Sequence, residues 1–329
     1  MAGADPEAIP PEPIVSVVVP CRSHAGELAR CLPTLISQNP AGNAQFIVVD
    51  SAADPEVAAV AAKYPSVTLV RSTEGLLPGE ARNLGAAAAQ GRYLAFLDAD
   101  CIAAPGWLAH ALAALARGAV IVGGPVLHGN GIHPIAVVDN LMQFSEVPPG
   151  RPEGIVALIP SCNMAIARAD FFALGGFPRP AGGSACGEDV LFCTRAAQRW
   201  PSPIRFDRGM RIRHFGRSRL RELLRHQYRF GWVRGHEGLV LAARYRRLGR
   251  LAAVMPLVAG KRLCNLAARA VAWQPANLLY MLLFAPILAL GLGAWAYGFW
   301  QGCRADELAT GDRIHHPGTA YAESELEQR

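Results

Sequence analysis

The chain has 329 residues, 51% of them hydrophobic and 18% charged, with a formal net charge of +6 at pH 7. So much apolar content excludes a disordered protein, and the length allows one large or two modest domains with a real core. The charge is uneven: residues 205–250 hold 14 arginines against three acids while the remainder is net acidic, so that block calls for an anionic partner, whether phosphate, nucleic acid or lipid.

Eight cysteines occur without a C-x-x-C pair, as expected for reduced thiols packed as small apolar residues in a cytosolic domain. Residues 1–13 are acidic and proline-rich without an apolar stretch, so a loose leader is expected rather than a secretory signal. From residue 14 the pattern sharpens. Residues 14–19 are a β-branched run ending at Pro20, which predicts a strand buried on both faces. A helix follows with Leu28, Leu32, Leu35 and Ile36 on one side, started or kinked by Pro33. Strands are then expected at 46–49, 67–70, 93–97 and 119–122, with helices at 55–63, 80–90 and 105–117 between them. The alternation predicts an α/β fold with a doubly wound, mostly parallel sheet, binding ligands beyond the carboxyl ends of its strands. Asp50, Asp98 and Asp100 fall at such ends.

Beyond residue 125 the period weakens, and the glycine, proline and histidine of 123–160 predict loops lining a site. Helical patches are expected at 171–177 and 188–200, then a basic helix at 220–228. No acidic or basic residue lies between Arg269 and Arg304. Residues 277–300 read as a single helix of about 36 Å, enough for a hydrocarbon core of roughly 30 Å, with Trp273, Trp295, Tyr297 and Trp300 toward its ends. Residues 251–273 carry Lys261, Arg262 and Arg269 and fit an interfacial amphipathic segment. The expected organisation is a leader (1–13), an α/β domain (14–235), basic and amphipathic helices (236–273), a transmembrane candidate (274–303) and a polar tail (304–329).

The strongest local motif is Phe96-Leu97-Asp98-Ala99-Asp100, a strand running into D-x-D. Two carboxylates so placed can share one divalent cation and its ligand, and oxygen donors suit Mg²⁺ or Mn²⁺. The motif follows Gly79-Glu80-Ala81-Arg82-Asn83-Leu84-Gly85. Glu188-Asp189 opens a helical patch, where acids also complement the helix dipole.

Taken in order, these pieces resemble a family 2 glycosyltransferase of the nucleotide-sugar-binding GT-A fold, across about residues 14–235. The resemblance rests on Val15-Ser16-Val17-Val18-Val19-Pro20, Val48-Val49-Asp50, Ala81-Arg82-Asn83-x-Gly85 and Phe96-Leu97-Asp98-x-Asp100. It continues in Cys162-Asn163-Met164-Ala165, Gly175-Gly176-Phe177 and Gly187-Glu188-Asp189. It implies nucleotide contacts from Pro20, Asp50, Arg82 and Asp98, with Asp50 on the base and Arg82 near the base or diphosphate. Asp100 would hold the divalent metal, and a histidine in the position of His214 would complete its shell. Asp189, beside Glu188, would be the catalytic base, and Asn163 and Gly187 would line the sugar pocket. Arg213 and Arg217 would contact diphosphate or an anionic membrane. Arg221, Arg225 and Arg229, spaced by four, share one helical face that suits a lipid surface.

The implied activity is inverting, metal-dependent transfer of a sugar from a nucleotide-diphospho-sugar to a hydroxyl acceptor, a lipid-linked or cell-surface glycan precursor. It would occur at the cytoplasmic face of the cell membrane. Two departures bear on the nucleotide contacts: Ser51 stands where a second acid is common, and Cys21-Arg22-Ser23 follows the first strand. The Q-x-x-R-W motif of processive synthases is missing at Gln227, so single additions are expected. A nucleotidyltransferase would need a Gly-rich loop in 20–26, and an oxidoreductase a G-x-G-x-x-G after a strand. A non-catalytic membrane-bound nucleotide-sugar binder is the alternative from another class; a nucleic-acid partner is not expected, since stacking motifs are missing.

Overall fold

The computed structural model describes residues 13–39, 42–238, 248 and 251–305. The leader up to residue 12, the tail beyond residue 305 and all of 239–250 except residue 248 therefore lie outside the described residues. The β-branched run at the start becomes β1 (Val15–Cys21), followed by α1 (Ala25–Ile36), which keeps Pro33 inside its last turn. Next come β2 (Ala44–Asp50), α2 (Pro55–Ala61), β3 (Val67–Arg71), α3 (Pro78–Ala88) and β4 (Tyr93–Leu97). Then β5 (Cys101–Ala103), α4 (Trp107–Ala116), β6 (Ile121–Gly123) and β7 (Val126–His128) follow. The central sheet has eight strands in the order β3-β2-β1-β4-β9-β6-β10-β8, with β8 at Gly154–Ile155, β9 at Asn163–Ala167 and β10 at Ile204–Phe206.

Strands β3, β2, β1 and β4 run parallel, as the alternating pattern requires. Beyond them β6 and β10 run in the same direction, so six of the eight strands are parallel as expected, while β9, antiparallel to both β4 and β6, and β8, antiparallel to β10, make the sheet mixed. The sheet is mixed because β9 enters from a long excursion rather than from a βαβ crossover. The span 123–160 is also not only loop: Pro134–Phe144 is a helix, α5, started by Pro134 at its first turn. The helix expected at 171–177 shortens to α6 (Arg168–Ala173), and α7 (Glu188–Arg199) follows.

Helix α3 lies on β1 and β2 at a distance only glycine allows. A Cβ on Gly85 would stand 2.4 Å from Val18 Cγ1 and 2.8 Å from Val49 Cγ2. Under the carboxyl end of β4, Phe96 packs on Phe177 and Phe171, with ring centroids 5.1 and 5.3 Å apart, and Phe192 of α7 lies 4.8 Å from Phe177. This aromatic cluster fixes α7 against the D-x-D strand.

The C-terminal third is α8 (Leu220–His236), α9 (Val254–Trp273), α10 (Ala276–Leu283) and α11 (Ala285–Ala305). Residues 277–300 do not form the single straight helix expected. The chain bends by 86° between α10 and α11, and among the described residues no single helix is long and apolar enough to cross a membrane. Pro286 supplies the reason: it lacks an N–H and stands in the first turn of α11, where a new helix tolerates it. One face of α11 packs on α8 through four glycines. A Cβ on Gly231, Gly235, Gly298 or Gly302 would fall 2.0 or 2.1 Å from a carbonyl oxygen of the other helix. The two backbones thus touch, as in small-residue helix pairs.

Candidate active site

Asp98-Ala99-Asp100 turns directly from β4 into β5. The last strand, β11 (Ile212–His214), pairs antiparallel with β5 and parallel with β7, with His214 opposite Cys101. The Phe215 N–H donates to the Asp100 carbonyl at 2.9 Å, and His214 Nε2 lies 3.5 Å from Asp100 Oδ2. His214 is buried, edge-on to Phe144. Burial opposes its charge, but Asp100 outweighs burial and raises the imidazole above its ordinary value. Burial alone would raise Asp100; His214 and then Arg217 reverse this and hold it at about 2.

Arg82, on α3 and 2% exposed, ties two acid pairs together. Its Nη2 donates to Asp98 Oδ1, and its Nη1 to Glu188 Oε1 at 2.9 Å. Burial disfavours the guanidinium charge, yet Asp98 and then Glu188 hold it above its ordinary value. Glu188 Oε1 also accepts from Ser161 Oγ at 3.2 Å. Burial and Asp189 push Glu188 up to about 7, against the pull of Arg82. Asp189 is raised as well, by burial, with the Val190 N–H and Arg234 opposing. It carries no ion pair among the described residues, which leaves it the freer of the two carboxylates. Both acids sit in the first turn of α7 after Gly187, whose φ of 98° is left-handed and whose Cβ would lie 2.7 Å from Val233 Cγ1.

These groups line one cavity of 580 Å³: Arg82, Asp98, Asp100, His214, Glu188 and Asp189. Gly187 and Arg217 line it too, and Arg217 is pinned by Asp139 Oδ2 at 3.2 Å. Among the described residues, no three His, Cys, Asp or Glu side chains form a metal-holding group by themselves. Asp100 and His214 supply one oxygen and one nitrogen donor. That set fits a cation whose remaining ligands come from diphosphate oxygens and water, as is usual for Mg²⁺.

Other expected site residues lie elsewhere. Asp50 is buried at the end of β2, and its carboxylate accepts the Ala52 and Asp54 N–H groups and Arg71 Nε at 3.2 Å. Pro20 sits within β1, paired in register with Val49. Neither lines this cavity. Asn163 is fully buried and does not reach it: Oδ1 accepts from Trp107 Nε1, and Nδ2 donates to the Gly124 and Met210 carbonyls. Its amide therefore braces β9 instead of contacting a ligand. Arg213 points to the surface because strand alternation turns it away from His214. Arg82 bridges Asp98 and Glu188 rather than standing free for a base. Glu146 falls in the span 123–160 expected to line a site, whereas sequence reasoning missed Ser161, Arg234 and the α9 cations as cavity residues. The spacing of Lys261, Asn265 and Arg269, at i, i+4 and i+8, was the available signal.

Residues 16–172 match the family described as Glycosyl transferase family 2. A pre-mycofactocin glycosyltransferase of Mycobacterium tuberculosis is 26% identical over 225 residues, 66% of this chain and 46% of that protein. The chain thus spans about half the length of that curated relative. The structure is similar to a mannosyltransferase from Pyrobaculum calidifontis in complex with GDP-Man and Mn²⁺, with a TM-score of 0.51 and 20% identity over 96% of this chain and 79% of that one. It is also similar to residues 1–349 of S. aureus TarS in complex with UDP-GlcNAc, with a TM-score of 0.52 and 16% identity over 92% and 95% of the two chains. At these identities the likeness is one of fold, of the GT-A type. Through residues 16–172 the chain is similar to glycosyl transferase family 2.

Proposed function

We propose that the chain transfers a sugar from a nucleotide-diphospho-sugar to a hydroxyl acceptor, one addition at a time, with inversion at the anomeric carbon. The observation that carries this is the shared cavity. Arg82 holds the D-x-D carboxylate Asp98 against Glu188, so donor-side and acceptor-side acids face one space. Asp189 takes the proton of the acceptor hydroxyl, as a carboxylate within hydrogen-bond reach can. Glu188, bound by Arg82 and Ser161, positions it. Attack on the face opposite the leaving diphosphate inverts the anomeric centre. Asp100 and His214 are the residues to hold Mg²⁺ or Mn²⁺, which would supply Lewis-acid stabilisation to the leaving diphosphate. The neighbouring structures bound to GDP-Man with Mn²⁺ and to UDP-GlcNAc support such a donor. Asp50 remains our candidate for the base, reached once its contact with Arg71 opens.

We further propose attachment to the cytoplasmic face of the cell membrane, by an interfacial platform rather than a straight span, with a lipid-linked or cell-surface glycan precursor as acceptor. Leu257, Val271, Leu279, Leu282, Leu283 and Leu290 are all more than half exposed on α9–α11, and Arg221, Arg225 and Arg229 are exposed on α8. The test of the activity is a nucleotide-release assay across a panel of nucleotide sugars, with and without chelator. Release from one donor that requires divalent metal is expected. No release from any donor would refute the activity, and full release in chelator would refute the metal assignment.

A further inference from the structure

The cavity that holds Asp189 has a second wall, and it is cationic. Arg234 of α8 and Lys261, Arg262 and Arg269 of α9 line it, together with Trp295 of α11. Glu146 is the one acid on that side, and it pairs with Arg269 at 2.8 Å. Arg234 and Lys261 make no ion pair among the described residues; Arg234 lies 5.0 Å over the Phe230 ring. Arg262 has no carboxylate either. Its Nη2 donates to the Met142 carbonyl and to Gln227 Oε1, while Nη1 is buried without a hydrogen-bond partner. The Trp295 ring lies 4.5 Å from that guanidinium, and its own Nε1–H is buried and unpartnered. Burial, and then Arg234, push the Arg262 guanidinium well below its ordinary value. An arginine stays protonated in proteins, so this wall keeps a cation in an unfavourable field.

Resting on the glycosyltransferase function above, we infer that Arg234, Lys261, Arg262 and Arg269 form an anion clamp for a phosphate or diphosphate carried by the acceptor. A neutral hydroxyl acceptor gives Arg234, Lys261 and Arg262, which have no paired carboxylate among the described residues, nothing to compensate them. A phosphate supplies oxygens for the unpaired Lys261 and Arg234 and an opposite charge beside the partly satisfied Arg262 guanidinium. The donor diphosphate is addressed from other elements, by Asp100 after β4 and by His214 and Arg217 around β11. The clamp stands on α8 and α9, whose outer faces carry exposed arginines and leucines. The same chemistry fits a lipid head group or a soluble phosphorylated acceptor, and experiment separates them.

The test is calorimetric titration of the full chain, in a neutral detergent, with dodecyl phosphate, inorganic phosphate and dodecanol. The expected result is saturable binding of phosphate that dodecanol does not mimic. The Arg234→Gln, Lys261→Gln double variant should weaken it by roughly ten- to a hundred-fold, as for loss of charge-assisted hydrogen bonds. Saturating UDP or GDP should not displace it. Dodecyl phosphate binding more than about ten-fold tighter than inorganic phosphate assigns a lipid acceptor, and equal affinity assigns a soluble one. Equal binding of dodecanol, unchanged affinity in the double variant, or competition by nucleotide would each overturn the clamp. A chain that binds phosphate through these residues yet releases nucleotide from no donor would leave the clamp standing and refute the transferase activity instead.

Discussion

Arg82 is the residue whose loss tests the site most directly. Its side chain is 2% exposed, and the Glu188 and Asp98 side chains it joins are 8% and 29% exposed. Arg82→Met leaves Glu188 beside Asp189 with no cation at hydrogen-bond distance. Removing one partner of a buried pair costs roughly 3–5 kcal/mol. The Asp98 arm opens on the cavity and is partly screened, so the Glu188 arm dominates and a loss of about 3 kcal/mol is expected. Lysine would not restore it, because a single ammonium cannot fork between two carboxylates.

The loss should depend on pH. Glu188 is raised from 4.5 to about 7 in the folded chain, so between those values the folded state binds more protons than the unfolded one. Its contribution is therefore fully present below the unfolded value and is lost as pH rises through the folded value. Without Arg82 the carboxyl rises further, so the deficit of the variant is constant below about 7 and grows as pH rises above it. Urea unfolding followed by circular dichroism, at about pH 5.5 and about pH 8.5, measures both terms. In a Glu188→Gln background the same substitution should cost at least about 1 kcal/mol less. Deficits equal at both pH values, with no coupling to Glu188, would refute the bridging role of Arg82.

Asp189→Asn should lower turnover by roughly 10²–10⁴-fold while nucleotide binding by calorimetry stays within about two-fold, since the proposed base acts on the acceptor. Gly298→Leu forces a side chain to within 2.0 Å of the Tyr228 carbonyl and should destabilise the α8–α11 pair by about 1–3 kcal/mol or more, read as faster proteolysis within 276–305. Gly260→Ala is the opposite case: no atom lies within 4 Å of its Cβ in mid-α9, so a gain of up to about 1 kcal/mol is expected in urea unfolding. Leu257→Asp, Leu279→Asp and Leu282→Asp together should abolish co-sedimentation with anionic vesicles and leave the unfolding midpoint unchanged; persistent sedimentation would move the attachment to the α8 arginines.

The first four strands of the sheet were legible because a strand buried on both faces writes itself as a short apolar run, β-branched in β1, and β4 falls at 93–97 as expected. The rest of the strands, apart from β6, were not. Strands β5, β7, β10 and β11 have three residues each, too few for a period, and β9 differs from a helix segment only by its partners. That is why Asp100 and His214, far apart in sequence, could be paired only by resemblance: the three-stranded sheet that joins them leaves no trace in composition. Asn163 failed as a pocket residue for the converse reason, since its motif marks a hydrogen-bonded brace whose neighbours are not adjacent in sequence.

The C-terminal third shows why apolar length alone misleads. Residues 277–300 carry no charge, yet Pro286 divides them and four glycines bring α11 against α8, so one face of the apolar run is spent on the protein itself. The arginine block divides in the same way. On α8, Arg234 turns inward to the cavity and Arg221, Arg225 and Arg229 turn outward, because the helix presents one face to α11 and another to solvent, while Arg217, between β11 and α8, reaches the cavity beside Asp139. A helix packed this closely cannot leave for a bilayer without opening the cavity wall that Trp295 closes. The proposed attachment at the membrane surface, with the α9–α11 leucines at the boundary between head groups and acyl chains, would keep that wall shut; a span through the bilayer would not. Membrane extraction separates the two, since an interfacial helix platform yields to alkaline carbonate and a spanning helix does not.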